Sequence, residues 1–359
     1  MHLVHPFYGG IHNKRVILQP RCLKGRLVSY DKFLSDLDSF SPMMEELQDL
    51  TNFIQNKIVE ISPEEKTTNL YHYTSAHGLE GIISNTNLWA TDYRFLNDSR
   101  EMKDGLDIIF KALNARKEVV FQDLAKHLNE HSDNLAEVIT PYIISFCSKH
   151  DLLSQWRAYA NQSEGYCVEF DLSDSRLSTY QNNTVVICHF LPVIYDDKLK
   201  LDIVNLIIDE LTKTIKKYKI DNQNISELSL ESKGIITGLL QNVFQLPLLT
   251  FKDGGFSEEK EWRAIFLANS VQNENLRKFR IAGGTFIPYV ESIFLQDDEK
   301  NLFQREKLPI KSVCLPPAAG NTTRKGLELF LQDNGFTDSN KVAVLDSAIP
   351  LRNQKNINW

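Results

Sequence analysis

The segment Phe256-Ser-Glu-Glu-Lys-Glu-Trp-Arg263 holds the residues most able to do chemistry. Glu259, Glu261 and Arg263 alternate, so on a β-strand they share one face while Lys260 and Trp262 take the other. Two carboxylates and a guanidinium on one face are costly unless exposed or used. One glutamate can pair with Arg263 and leave its neighbour for acid–base or electrostatic work. An edge strand with a surface ion pair would carry the same residues to little effect. A second candidate is Tyr71-His72-Tyr73-Thr74-Ser75. On a strand it puts the imidazole on one face and both phenols on the other. Thr74 and Ser75 then open a helix whose free N–H groups can receive a phosphate or a ribose hydroxyl. A core histidine followed by a helix cap is the plainer account.

Three further groups complete the inventory. In Arg94-Phe-Leu-Asn-Asp-Ser-Arg-Glu101, Asp98 and Glu101 fit a capping box, and Asn97 just outside it is placed to bind a ligand. In Ser154-Gln-Trp-Arg-Ala-Tyr159, Trp156 and Tyr159 sit on neighbouring turns and can line an aromatic pocket or pack a helix onto a sheet. His127-Leu-Asn-Glu-His131 matches the H-x-x-E-H pattern of zinc peptidases, but the surrounding helix is polar and no third ligand stands out, so no metal is expected. No phosphate-binding glycine loop and no serine nucleophile elbow is present.

These residues need elements to hold them. Leu70–Tyr73, Leu88–Thr91, Tyr142–Cys147, Gly165–Phe170, part of Val185–Tyr195, Trp262–Leu267, Phe286–Val290, Ile310–Leu315 and Val342–Asp346 read as strands. Helices are expected over about 30–61, after Ser75, from Asp98 onward to about Ile139, over Leu152–Ala160 and over Thr323–Asp333. Residues 198–249 read as a helical insertion, with Val204, Ile207, Ile208, Leu211, Ile215 and Tyr218 in helical rhythm. Strands and helices alternate irregularly, which argues for an α+β fold with a mixed, mostly antiparallel sheet. Residues 1–66 form an N-terminal appendage, 67–352 the main domain and 353–359 a tail.

Composition narrows the function. With 40 basic and 47 acidic residues the net charge is −7, which excludes nucleic-acid binding by bulk charge and leaves room for a local basic groove. An apolar share of 42% is that of a folded globular chain. Five cysteines without C-x-x-C spacing suggest neither a disulfide frame nor a zinc ribbon, and no signal peptide or membrane span is visible. Cytoplasm is the expected location.

Taken in order, five motifs resemble a bacterial family catalogued as domain-of-unknown-function family 2971: His72–Thr74, Phe95–Asp98 with Glu101, Gln155–Tyr159 before Gly165, Glu259–Arg263 and Ser347–Arg352. The opening motif is also similar to that of ADP-ribosyltransferase toxins, including the DNA-targeting kind. That resemblance implies an ADP-ribosyltransferase-like sheet core with helical insertions, and NAD as the substrate. His72 and Thr74 would contact the nicotinamide ribose or amide, with Ser75 and Asn97 as further cofactor-binding residues. An aromatic such as Tyr93, Phe95 or Tyr159 would stack on nicotinamide, with Trp156 also among the cofactor-binding residues. Arg263 or Arg94 would neutralise pyrophosphate. Glu261 would be catalytic, with Glu259 as the alternative. It further implies a toxin or anti-phage defence effector with a macromolecular acceptor, protein or nucleic acid, and a regulatory or antitoxin partner. A nucleotide-sensing module without catalysis and an NAD glycohydrolase are the alternatives.

Overall fold

β-Strand Ile139–Cys147 (β3) organises the sheet, because three partners compete for its two edges. One edge pairs along its whole length with Glu261–Asn269 (β8), from Ile139 opposite Asn269 to Cys147 opposite Glu261. The outer edge of β8 takes His189–Pro192 (β7). The other edge of β3 is divided. Asn69–Ser75 (β1) meets it only at Tyr71–Cys147, whereas Leu88–Asp92 (β2) meets it at Thr91–Ile143 and Asp92–Tyr142. Helix Ala76–Asn85 (α2) carries the chain from one to the other.

Two arms therefore leave the same strand. The first continues from β1 through Gly165–Asp171 (β4) and Ile310–Cys314 (β11) to Ala343–Leu345 (β12). The second runs from β2 to Thr285–Gln296 (β10), which also pairs with Lys278–Ala282 (β9) and Ser175–Gln181 (β5); Thr184–Ile187 (β6) follows β5. Among the described residues every strand pairing is antiparallel except β11–β12. The fold is thus mixed α/β with a mostly antiparallel open sheet. The structure, a computed structural model, describes residues 41–62, 69–96, 101–130, 139–160, 164–172, 175–181, 184–220, 230–269, 276–296, 308–337 and 340–350.

The main core lies on one face of the sheet. Leu70, Ala90, Ile144, Phe146, Val168, Phe170, Ala264, Phe266, Val290 and Phe294 alternate inward from six strands. They are covered by Leu79, Ile82 and Ile83 of α2 and by Leu327 and Leu331 of helix Asn321–Asp333. The β10 strand twists through three partners, and its hairpin with β9 turns at Gly283–Gly284, both at positive φ, where a side chain would be strained. A smaller cluster, Tyr73, Cys147, Trp156, Ala160, Cys167 and Cys314, occupies the opposite face beneath helix Leu153–Tyr159. All four described cysteines are buried free thiols.

The expected helical insertion takes the form of Asp197–Lys217 and Leu230–Leu248. They pack with Glu101–Asn114 and Val119–Glu130. Of the rhythm read from the sequence, Val204, Ile207, Ile208, Leu211 and Ile215 are all buried, while Tyr218 is half-buried at the helix end. At Gly105 a Cβ would stand 2.6 Å from Leu248 Cδ1, so the close helix approach uses the missing side chain. The chain divides into units 1–41 and 42–359. The expected appendage ends in a helix, Ser41–Ile61 (α1), which from Pro42 onward lies in the second unit. Met43, Leu47, Leu50, Ile54 and Ile58 are buried, and Glu46 accepts hydrogen bonds from Thr214, Lys217 and Tyr218.

Several expectations need adjusting. Strands β5 and β9 were absent from the sequence reading, and Val185–Tyr195 yields parts of two strands, β6 and β7. The helical stretch expected from Asp98 to about Ile139 takes the form of Glu101–Asn114 and Val119–Glu130, the latter ending the helix among the described residues. His131 and the histidines near the N-terminus lie outside the described residues. Among the described residues no group of three or more His, Cys, Asp or Glu side chains is placed to hold a metal. No helix there is long and apolar enough to cross a membrane.

Candidate functional site

The splayed edge of β3 leaves backbone groups without a strand partner, and a side chain takes one of them. Past Tyr71, β1 diverges from β3, and His72 Nδ1 lies 2.9 Å from the Ser145 carbonyl oxygen. A carbonyl only accepts, so Nδ1 carries the hydrogen and Nε2 is left with its lone pair. Burial pushes the imidazole below its ordinary pKa, against a smaller opposing effect of the Ser145 hydrogen bond. At neutral pH His72 is an uncharged acceptor at the point where the sheet forks.

A small cleft opens there, about 370 Å³ with its open mouth included, lined by Tyr71, His72 and Tyr73 of β1, Ser145 and Phe146 of β3, Gln155 and Tyr159, and Glu259 and Glu261.

Charge in the cleft is organised around Glu261, which is 4% exposed. Its Oε1 accepts from Ser145 Oγ at 2.7 Å and Arg263 Nε at 2.9 Å, and its Oε2 accepts from Lys252 Nζ at 2.9 Å and Arg263 Nη2 at 3.1 Å. Burial alone would raise this carboxyl. Arg263 and Lys252 outweigh it and hold the pKa at about 2. Four donors fill the roughly four lone-pair positions of a carboxylate. Glu259 differs. Tyr159 donates to its Oε1 at 3.1 Å and Lys252 to its Oε2 at 2.7 Å, which leaves acceptor capacity on a side chain 16% exposed, against 6% for Glu261. Burial and then Glu259 itself raise the Tyr159 phenol, so it stays a donor. Lys252 is buried over the Phe256 ring at 4.9 Å, and the Tyr195 hydroxyl accepts from the Glu261 N–H.

The two glutamates reach the cleft differently from the expected alternation. Glu259 ends a 3₁₀ turn, Gly254–Glu259, and β8 begins only at Glu261. Between them Lys260 adopts a left-handed conformation, φ 49°. Such a residue costs about 1–3 kcal/mol and persists where its surroundings hold it; here Ser148 N–H donates to the Lys260 carbonyl at 2.9 Å. The left-handed kink, with the salt bridges to Lys252, brings the carboxylates to the same cation.

The other sequence candidates fall in distinct places. Arg263 is 1% exposed and gives Nη1 to the Leu249 carbonyl at 2.7 Å, so its guanidinium faces Glu261 and backbone. Arg94 grips the buried Asp92 through two hydrogen bonds, at 2.9 and 2.5 Å, in the turn Tyr93–Phe95, where Phe95 is exposed. Ser75 caps α2 by accepting from Gly78 N, and Thr74 is half-buried beside it. Asn97 lies outside the described residues. Trp156 is fully buried against Tyr73, and its Nε1 donates to Asp151 at 2.7 Å, so it packs behind the cleft, whose wall on this helix is Gln155 and Tyr159. Asp151 also accepts from Ser347 Oγ at 2.6 Å and Ala348 N at 2.7 Å, which anchors the Ser-Ala-Ile-Pro segment. Gly165 lets these pieces close: a Cβ there would lie 2.4 Å from the Thr74 carbonyl oxygen and 2.5 Å from Ala160 backbone.

Sequence reasoning missed Lys252, Tyr195 and Gln155 as parts of this site. Lys252 stands before Asp-Gly-Gly, which reads as an exposed turn, and only the tertiary fold buries it.

The fold and cleft define a mixed α/β protein with a carboxylate-lined pocket at a fork of its sheet. A family model described as "Protein of unknown function (DUF2971)" matches residues 155–264. The match supports that family over the span from Gln155 to β8, which carries Tyr159, Lys252, Glu259, Glu261 and Arg263 but not His72. No curated protein and no solved structure matches the chain.

Proposed function

We propose that the cleft binds the nicotinamide ribose end of NAD, cleaves its glycosidic bond and passes ADP-ribose to a macromolecular acceptor. The supporting observation is the meeting of the neutral His72 with the Glu259–Lys252–Glu261 cluster at the forked edge of β3. The free Nε2 of His72 accepts from the carboxamide N–H or a ribose hydroxyl. Glu259 has open acceptor positions for the 2′-hydroxyl, and Glu261 supplies a second, fixed negative charge. As the C–N bond breaks, its electron pair leaves with nicotinamide, and the ribose becomes cationic. Carboxylates hydrogen-bonded to that ribose stabilise the developing charge. The acceptor attacks the anomeric carbon, and its proton passes to Glu259. Glu261 can reach the substrate directly if the Ser145 hydroxyl turns away and releases Oε1.

The filled acceptor set of Glu261 favours a second reading, in which the cleft senses a nucleotide without consuming it. Nicotinamide release from NAD by the protein and by its Glu259→Gln and Glu261→Gln variants, with and without cell lysate, separates them. Release that collapses in folded Glu259→Gln protein supports the transferase. NAD that raises the melting temperature yet stays intact under all conditions supports sensing, and no effect of NAD at all removes both.

A further inference from the structure

The two arginines expected to meet pyrophosphate are committed elsewhere, Arg263 to Glu261 and Arg94 to Asp92. Among the described residues a third arginine has no carboxylate partner. Arg280 of β9 is half-buried, and among the described residues its hydrogen-bond partner is the Thr91 hydroxyl, Nη2 to Oγ1 at 3.0 Å, with no carboxylate at ion-pair distance. Thr91 stands opposite Ile143, one alternation along β3 from Ser145 and on the same face. Arg280 thus reaches from the second arm of the sheet into the fork whose other side is β1. Its charge is felt at His72, where it adds to the forces that keep the imidazole neutral.

A guanidinium stays charged in a protein. Burial lowers the pKa of Arg280, with only a smaller opposing effect from Tyr289, the reverse of what a paired arginine shows. Compare Arg94, whose pKa is raised by its hydrogen bonds to Asp92. A partly desolvated, uncompensated charge costs stability that an incoming anion returns. Of the anions a fork of N–H donors beside a hydroxyl can hold, a phosphate offers several acceptor oxygens in matching geometry. The cleft is too small for a whole dinucleotide, so the phosphates of any such ligand must lie along its rim.

We propose that Arg280, with the Thr91 hydroxyl, is the receptor for a phosphate or pyrophosphate group of the ligand that enters the cleft. Assigning that group to a dinucleotide rests on the function proposed above; the anion site itself does not.

Calorimetric titration with inorganic pyrophosphate tests the site, using the full-length protein, Arg280→Gln and Arg277→Gln. Arg277 is a charge control, since it sits beside the Phe279 ring on the opposite face of the hairpin. Arg280→Gln should weaken pyrophosphate by about 10- to 100-fold, the loss expected for a charge-assisted contact, and Arg277→Gln by less than about 3-fold. Without ligand, Arg280→Gln should melt at or above the wild-type temperature, because it removes a half-buried charge with no carboxylate partner among the described residues. Arg280→Lys, which keeps the charge and loses the fork, should bind at an intermediate level. Absence of pyrophosphate binding in the wild type, equal losses in both neutral variants, or destabilisation by Arg280→Gln would each overturn the proposal. NAD and nicotinamide riboside then separate the two inferences. Arg280→Gln should weaken NAD and leave the phosphate-free riboside unchanged. Arg280-dependent pyrophosphate binding without NAD binding would keep the anion site and remove the dinucleotide reading. NAD binding indifferent to Arg280 would overturn its role as receptor for the ligand's phosphate and keep that reading.

Discussion

Replacing Glu261 by glutamine should unfold the protein more readily before it reveals anything about catalysis. The amide keeps one acceptor oxygen but turns an N–H₂ group toward donors that previously met Oε1 or Oε2, and leaves Arg263, 1% exposed, without its counter-charge. The drop of the Glu261 pKa from 4.5 to about 2, at about 1.4 kcal/mol per pH unit, is worth about 3 kcal/mol at neutral pH. Breaking a buried ion pair by removing one partner costs about 3–5 kcal/mol, so two routes agree. In a chain of this size the melting temperature should fall by roughly 5–10 °C. The sign of the pH effect is fixed by the depressed pKa: the stabilisation is fully present above about pH 4.5 and disappears as pH falls toward about 2. Urea unfolding of the wild type between pH 6 and 3 should therefore show a steeper acid loss than that of Glu261→Gln. Glu259→Gln, whose lysine keeps Glu261 as a partner, should cost only about 1 kcal/mol. Equal melting temperatures for wild type and Glu261→Gln, with identical acid limbs, would refute the view of Glu261 as the ionised centre of the cluster.

Gly165→Ala places a methyl against backbone atoms that cannot yield, and should cost about 1–3 kcal/mol in urea unfolding. Gly105→Ala crowds the flexible end of Leu248 and otherwise makes ordinary contact with Phe251 at 3.4 Å, so it should cost less than half as much in the same assay. Asp151→Ala removes the acceptor of three hydrogen bonds and leaves alanine at φ 57°; a loss of about 3 kcal/mol and faster proteolysis near Ser347 are expected. His72→Phe should flatten stability on the acid side. The native imidazole resists protonation, so the wild type loses stability as pH falls through about 6.5 and below, whereas the variant has no such term; parallel urea midpoints from pH 8 to 5 would contradict this.

Local periodicity made most elements legible. The buried stripe of Asp197–Lys217, the strands β1, β2, β3, β4, β8 and β11, and the helix from Leu153 to Tyr159 follow from side-chain spacing that any chain segment carries within itself. Strand β9 escaped because its five residues are exposed or half-buried and show no inward alternation; only its pairing with β10 makes it a strand. The residue types of the cleft were also legible, since His72, Tyr159, Glu259 and Glu261 stand out as chemistry-bearing groups. Their roles were not. Whether a carboxylate is filled or open depends on donors from four separate places, Ser145, Tyr159, Lys252 and Arg263, whose approach is a matter of long-range packing. The alternation from Glu259 to Arg263 was interrupted by the left-handed Lys260, a conformation that its side chain does not signal. The sequence by itself determined which groups could act. The fork of β3 decided which of them face one another, because a strand edge shared by two diverging partners exists only once the sheet is assembled.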